Sequence, residues 1–167
     1  PDYSSAASDV YKRQALYSLP LFCLLFINLS QNIKAEQVVI SEIMYHPKTG
    51  GHEFVEIENL TSTPFDIALW RLSGGVHFEF PDFSSASARN TFLKAFEKII
   101  ICDTDPGTFR AFYGLPSAVR VFGPWKGNLS NSGERINLKD KNGINRCTIR
   151  YANKGNWPVA ADGTGHS

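Results

Sequence analysis

The sequence contains one segment that comes close to a metal-dependent hydrolase motif. Residues 52–56 read HEFVE, one residue short of the HExxH signature of zinc proteases. That signature needs a second histidine four positions after the first, so that two imidazoles on one helix face bind the same metal. Glu56 occupies that position, and the segment alternates charged and apolar residues as a strand does. We therefore predict no zinc site here.

Two other acidic segments match known functional loops only in part. Residues 162–165 (DGTG) differ from the active loop of aspartic proteases, which needs Asp followed directly by Thr or Ser and then Gly, in two copies. Residues 103–107 (DTDPG) begin like a calcium loop but lack its later oxygen ligands and its terminal Glu. The first segment predicts a turn. The second predicts a helix cap at Asp105, with a weak calcium site as the alternative.

The remaining polar residues do not form a catalytic set. Neither a GxSxG elbow nor a phosphate-binding loop occurs in the sequence. Three histidines have no second ligand at metal-binding spacing: His46, His77 and His166. Four glutamates are predicted to lie on a solvated face: Glu42, Glu53, Glu56 and Glu58. We predict no catalytic, cofactor-binding or metal-binding residue, no cofactor, and no enzymatic activity in this chain.

Short strands separated by turns dominate the chain after Val38. Alternating or continuous apolar residues predict strands at residues 38–45, 53–58, 65–72, 76–80, 98–102, 119–122, 135–139 and 146–151. The apolar run at 98–102 indicates a central strand. One helix is predicted after Asp105, with Pro106 at its first position and Gly114 at its end. One side of the helix would carry Phe109, Phe112 and Tyr113. This pattern predicts an all-β sandwich with one short helix.

Charge and cysteine content restrict the possible partners and the redox state. The chain has 17 Lys and Arg against 16 Asp and Glu, a net charge of +1, without a basic block. That balance argues against a nucleic-acid partner, although it is compatible with a local basic patch. Cys23 lies in the apolar leader. Cys102 and Cys147 are predicted to be either two buried thiols or one disulfide, and spacing alone does not decide.

The first 35 residues have the order of an export signal. Lys12 and Arg13 precede an apolar run at residues 15–27, and a polar stretch then leads to Ala35. We predict a signal-peptide helix within residues 15–35, cleavage after Ala35, and secretion or a cell-surface or periplasmic location. The alternative is a retained anchor, for which the apolar run is short. Residues 1–14 resemble foreign adaptor sequence and are excluded from the fold prediction.

The landmarks of the later part, taken in order, resemble a lamin tail domain of the bacterial exported type. They are residues 40–47 (ISEIMYHP), 53–59 (EFVEIEN), 70–75 (WRLSGG), 78–81 (FEFP), 122–125 (FGPW), 129–134 (LSNSGE) and 157–167 (WPVAADGTGHS). The resemblance implies an immunoglobulin-like β-sandwich at residues 38–167 without catalytic residues of its own. In this family the DGTG segment leads into another strand, so we expect a domain truncated at its C-terminus.

The resemblance also implies a class of function. We expect a non-catalytic, extracytoplasmic binding or structural module of an exported bacterial protein, with a protein or polysaccharide partner. The membrane is expected to be contacted only through the signal segment during export, and downstream domains of the same protein are expected. The alternative is an accessory module of a larger secreted enzyme, such as a nuclease or a spore-coat-type kinase-like protein, whose catalytic domain lies outside this chain.

Overall fold

The computed structural model describes residues 36–82, 91–155, 157 and 163. The adaptor-like segment 1–14, the signal segment 15–35 and most of the DGTG turn lie outside the described residues. Eleven strands and one helix are present in the described part. The strands are β1 (Val38–Met44), β2 (Phe54–Asn59), β3 (Phe65–Asp66), β4 (Arg71–Ser73), β5 (Val76–Glu79), β6 (Phe92–Leu93), β7 (Lys98–Cys102), β8 (Arg120–Phe122), β9 (Lys126–Gly127), β10 (Arg135–Lys139) and β11 (Asn145–Arg150). The helix is α1 (Pro106–Tyr113).

Two main sheets form the domain. The four-stranded sheet has the order β1-β2-β7-β8, and the five-stranded sheet has the order β11-β10-β4-β5-β9. Strands β3 and β6 form a small third sheet. All pairings are antiparallel except that of β7 with β8, which α1 connects. Strand β7 lies between two neighbours, which confirms the predicted central strand. The all-β, immunoglobulin-like fold class with one short helix is confirmed.

The core lies between the two main sheets and follows from the alternation within the strands. Val55 and Ile57 of β2 are completely buried, as are Ile136 and Leu138 of β10 on the facing sheet. Burying side chains of this size stabilises the fold by about 1.5–3 kcal/mol each. Trp70 and Trp125 belong to the same cluster, while Trp157 is half-buried against it.

The predicted strand at residues 65–72 is wrong, because the chain turns in its middle. The Asp66 carboxylate accepts a hydrogen bond from the Ala68 amide at 3.0 Å, which bends the backbone away from the β-ladder. The Trp70 amide then donates to the Ile67 carbonyl, and Leu69 adopts a left-handed conformation with φ of 60°. This turn carries the chain from the small sheet to the five-stranded sheet, so β3 and β4 replace one long strand.

Helix α1 covers one end of the outer face of the four-stranded sheet. Its cap is confirmed, because Asp105 Oδ1 accepts hydrogen bonds from the Gly107 and Thr108 amides, and Gly114 ends the helix with φ of 63°. Phe109 is buried, with its ring centroid 5.7 Å from that of Phe54. Phe112, on the same side of the helix, is 45% exposed, with its ring centroid 5.3 Å from that of His52. This helix and the sheet enclose a second apolar cluster.

The two cysteines of the domain are separate free thiols, as one of the two predictions stated. Cys147 lies in the core between the sheets and accepts a hydrogen bond from the Ile40 amide at 3.4 Å. Cys102 lies in the cluster under α1, where its thiol donates to the Thr104 carbonyl at 3.2 Å. Burial raises the pKa of the Cys102 thiol to about 11. Both sulfurs are therefore protonated at neutral pH and serve as packing groups.

Candidate functional site

The segment that resembles a zinc-protease motif leads into β2, and its polar groups connect the start of β2 to the end of β7. The His52 imidazole Nδ1 lies 3.1 Å from Asp103 Oδ1, an ion-pair distance without hydrogen-bond alignment. The other Asp103 oxygen accepts a hydrogen bond from the Glu53 amide at 3.0 Å. The Tyr113 hydroxyl accepts from the His52 amide and donates to the His52 carbonyl at 2.9 Å. These contacts tie the start of β2 to the end of β7 and to α1.

The two glutamates of this segment point in different directions, because β2 alternates. Glu56 lies on the outer face of the four-stranded sheet, where its carboxylate is 2.7 Å from Lys98 Nζ. Glu53 projects toward the opposite side, and its Oε2 accepts a hydrogen bond from the Leu129 amide at 2.9 Å. Burial raises the pKa of Glu53. The prediction that Glu53 belongs to a solvated face is therefore wrong, whereas Glu56 and Glu58 do lie on one.

A second carboxylate, Glu134, joins three separate parts of the chain. It accepts hydrogen bonds from the Gly75 amide and from the Ser130 amide at 2.8 Å, and it lies 3.1 Å from the Tyr151 hydroxyl, whose single proton has the Ser130 carbonyl at 2.8 Å as its nearer acceptor. A β-carbon at Gly75 would lie against both carboxylate oxygens, so the glycine leaves room for this approach. Burial raises the pKa of Tyr151. Sequence reasoning missed Glu134 as a fold-closing residue, although residues 70–75 and 129–134 both belong to the landmarks of the family resemblance.

The remaining predicted positions do not converge on one point. Asp105 caps α1, and His77 is exposed on β5. The His46 carbonyl accepts a hydrogen bond from the Gly163 amide at 2.7 Å, while Asp162 and His166 lie outside the described residues. Across residues 36–82 and 91–155, His, Cys, Asp and Glu side chains do not gather in groups of three or more that could hold a metal ion.

One depression in the described surface lies beside β8, at the edge of the four-stranded sheet. It has a volume of about 510 Å³, and its wall includes Phe78, Phe122, Arg110 and Arg120. Arg110 donates to the Val119 carbonyl at 2.6 Å, and the Arg120 guanidinium is 2.7 Å from Glu97. Both guanidinium groups therefore hold the local backbone or a neighbouring carboxylate. Within the part of the chain that the structure describes, no helix has the length and apolar character needed to cross a membrane.

Comparison with known proteins agrees with this architecture. The family model of the lamin tail domain matches residues 31–153 of the 167-residue chain. That match spans every strand and the helix described above. No curated protein matches the chain. The lamin tail domain is a non-enzymatic, immunoglobulin-like domain. The two-sheet sandwich and the family match together show that this chain belongs to the lamin tail domain family.

Proposed function

We propose that this chain is a non-catalytic binding or structural module of an exported bacterial protein. One observation carries the proposal: the acidic and imidazole groups nearest to a catalytic motif are engaged in holding the fold together. His52 and Asp103 join β2 to β7, and Glu53 holds the loop at Leu129. A general base must lie within hydrogen-bond reach of the substrate proton that it removes. A carboxylate that accepts a hydrogen bond from a backbone amide of the sandwich stabilises the fold.

The place of action in this proposal is outside the cytoplasm. The basic and apolar order of residues 12–27, followed by Ala35, supports export of the chain. The partner is then a protein or polysaccharide at the cell surface or in the periplasm. Export predicts a mature N-terminus at Glu36, which N-terminal sequencing of the protein secreted by a bacterial host measures. A start upstream of Leu16 would contradict the proposed cleavage.

A panel of turnover assays tests the non-catalytic part of the proposal. The full chain is incubated with DNA, casein and polysaccharides, with divalent metal ions in one series and a chelator in the other. The expected result is no product above the buffer control in either series. Product formation that requires a metal ion, with an activity that copurifies with the chain, would overturn the proposal.

A further inference from the structure

The outer face of the five-stranded sheet is strongly basic. Leu72, Val76, Ile136, Leu138 and Cys147 of this sheet are buried toward the core. Because successive side chains alternate across a sheet, their neighbours along each strand project outward. The outward residues with cationic or imidazole side chains are Arg71, His77, Lys126, Arg135, Lys139, Arg146 and Arg150, which we call the basic face, and the carboxylate of Glu79 on β5 projects outward beside them. The sequence shows no such cluster, since these residues are spread from position 71 to position 150.

Most of this positive charge has no carboxylate beside it. Arg71 pairs with Glu79 at 2.5 Å, and Arg146 pairs with Asp140 at 2.6 Å. The other four cations form no ion pair with any carboxylate of the described residues: Lys126, Arg135, Lys139 and Arg150. The outer face of the other main sheet has the opposite sign, with Glu56 and Glu58 around Lys98. A chain of net charge +1 thus concentrates its positive charge on one flat surface.

Two arginines of the basic face stand directly opposite each other. Arg135 of β10 is the cross-strand partner of Arg150 of β11, and both side chains are exposed. Like charges at directly opposed positions destabilise a β-ladder. The two residues also line a depression of about 400 Å³, together with Ser132, Gly133 and Glu134, a carboxylate that already accepts hydrogen bonds from the Gly75 and Ser130 amides. An anionic group bound between the guanidinium groups would relieve this repulsion, because guanidinium pairs with carboxylate, sulfate or phosphate oxygens through two parallel hydrogen bonds.

Between the charged positions, uncharged polar side chains form a continuous row. Thr148 is opposite Asn137, Asn137 is opposite Ser73, and Ser73 is opposite His77. The Thr148 hydroxyl donates to Asn137 Oδ1 at 3.0 Å. Arg135 and Arg150 lie two residues to one side of this row, and Lys139 and Arg71 lie two residues to the other, a distance of about 7 Å in each direction. The Ser73 hydroxyl in this row is buried, so Asn137, Thr148 and His77 are the hydrogen-bonding groups that the face presents, with cations on both flanks.

We propose that the basic face binds an anionic polysaccharide that carries carboxylate or sulfate groups. Sugar hydroxyls both donate and accept hydrogen bonds, which suits the polar row, while the acidic substituents reach the flanking cations. A single-stranded nucleic acid fits less well, because no aromatic ring other than the His77 imidazole projects from the described residues of this face to stack on bases. A duplex fits less well because a five-stranded sheet does not enter a groove that admits a helix or a two-stranded ribbon.

This inference rests on the proposed function and names the class of ligand for it. The full chain is measured for binding to polygalacturonate, a carboxylated polymer, and to heparin, a sulfated one. Dextran, duplex DNA and polyglutamate serve as the neutral, nucleic-acid and acidic-peptide comparisons. We expect binding to at least one of the two anionic glycans that weakens as salt rises, and weaker or no binding to the other three polymers. Tighter binding to DNA or to polyglutamate, or no binding to either glycan, overturns the proposal.

Paired variants test whether the basic face is responsible. Replacing both Arg135 and Arg150 with glutamine should weaken binding to the glycan about tenfold and make the dependence of log affinity on log salt shallower by about one to two. Replacing Lys48 and Lys94 with glutamine removes the same charge from other exposed positions and should change the affinity less than twofold. An equal loss in both variants would show that net charge alone causes the binding and would overturn the proposal.

The same reactions separate this inference from the proposed function. The arginine variant is expected to melt at or slightly above the melting temperature of the wild type, because it removes a repulsion and breaks no ion pair. Each mixture is also sampled for newly formed reducing ends. Binding with chain cleavage would contradict the non-catalytic function and leave the binding face in place. Absence of binding without cleavage would contradict only the basic-face proposal.

Discussion

Replacing Glu134 with alanine should lower the free energy of unfolding far more than removing a carboxylate from the solvated face of the four-stranded sheet. The Glu134 carboxylate accepts hydrogen bonds from the Gly75 and Ser130 amides and shares the proton of the Tyr151 hydroxyl with the Ser130 carbonyl. A hydrogen bond to a charged group contributes about 1.5–3 kcal/mol when shielded. The bond to Gly75 is exposed and the Tyr151 proton is shared, so both count for less, and the free energy of unfolding should fall by about 2–3 kcal/mol. For a domain of this size the melting temperature should fall by about 10 °C.

The assay is thermal and urea unfolding of the full chain, followed by circular dichroism. Glu58 provides the matched control, because its carboxylate lies 3.7 Å from Lys98 Nζ on a solvated face and its removal should cost less than about 1 kcal/mol. Adding a methyl group at Gly75 should reproduce much of the Glu134 effect by displacing the carboxylate. A Glu134→Ala variant that unfolds within about 1 kcal/mol of the wild type would refute the reasoning.

Three further outcomes follow from the geometry. Burial raises the pKa of Glu53, so the folded state holds this proton more tightly than the unfolded one, and stability falls as pH rises above the ordinary value of 4.5. Urea unfolding should therefore show the stability of Glu53→Gln increasing relative to that of the wild type as the pH rises above 4.5, and a constant difference would contradict this. Asp105→Ala should lower the free energy of unfolding by about 1 kcal/mol through loss of the helix cap, whereas an unchanged urea midpoint would contradict it. Cys102 and Cys147 should resist iodoacetamide until the chain is unfolded, and a disulfide-linked peptide in a digest would show that they pair.

The strands were predictable because most of them obey one local rule. The alternating segment at Arg135–Lys139 and the apolar run at Lys98–Cys102 have the predicted bounds. The strand prediction for residues 65–72 is wrong because a side-chain hydrogen bond, from the Ala68 amide to the Asp66 carboxylate, competes with the ladder inside an otherwise strand-like run. Such a bond depends on local geometry that the apolar pattern does not reveal.

The contacts that close the fold were beyond sequence reasoning. Glu134 meets Gly75 across 59 positions of sequence, and Glu53 meets Leu129 across 76. Neither residue has a local feature that identifies its distant partner. The alternating pattern therefore predicts, wrongly, that Glu53 lies on the same solvated face as its neighbours. The basic face was hidden for a related reason, because cross-strand register, and not sequence proximity, brings Arg135 beside Arg150. Composition alone, with a net charge of +1, gave no sign of it.

We propose that the polar groups near the protease-like segment hold the fold together and carry out no reaction. The most direct measurement records both the free energy of unfolding and metal-dependent turnover for the wild type and for Glu53→Ala. We expect the free energy of unfolding to fall by about 1–2 kcal/mol in the variant, because the Leu129 amide loses its acceptor, and we expect no turnover by either protein. Turnover by the wild type that disappears in the variant while stability stays unchanged would contradict it.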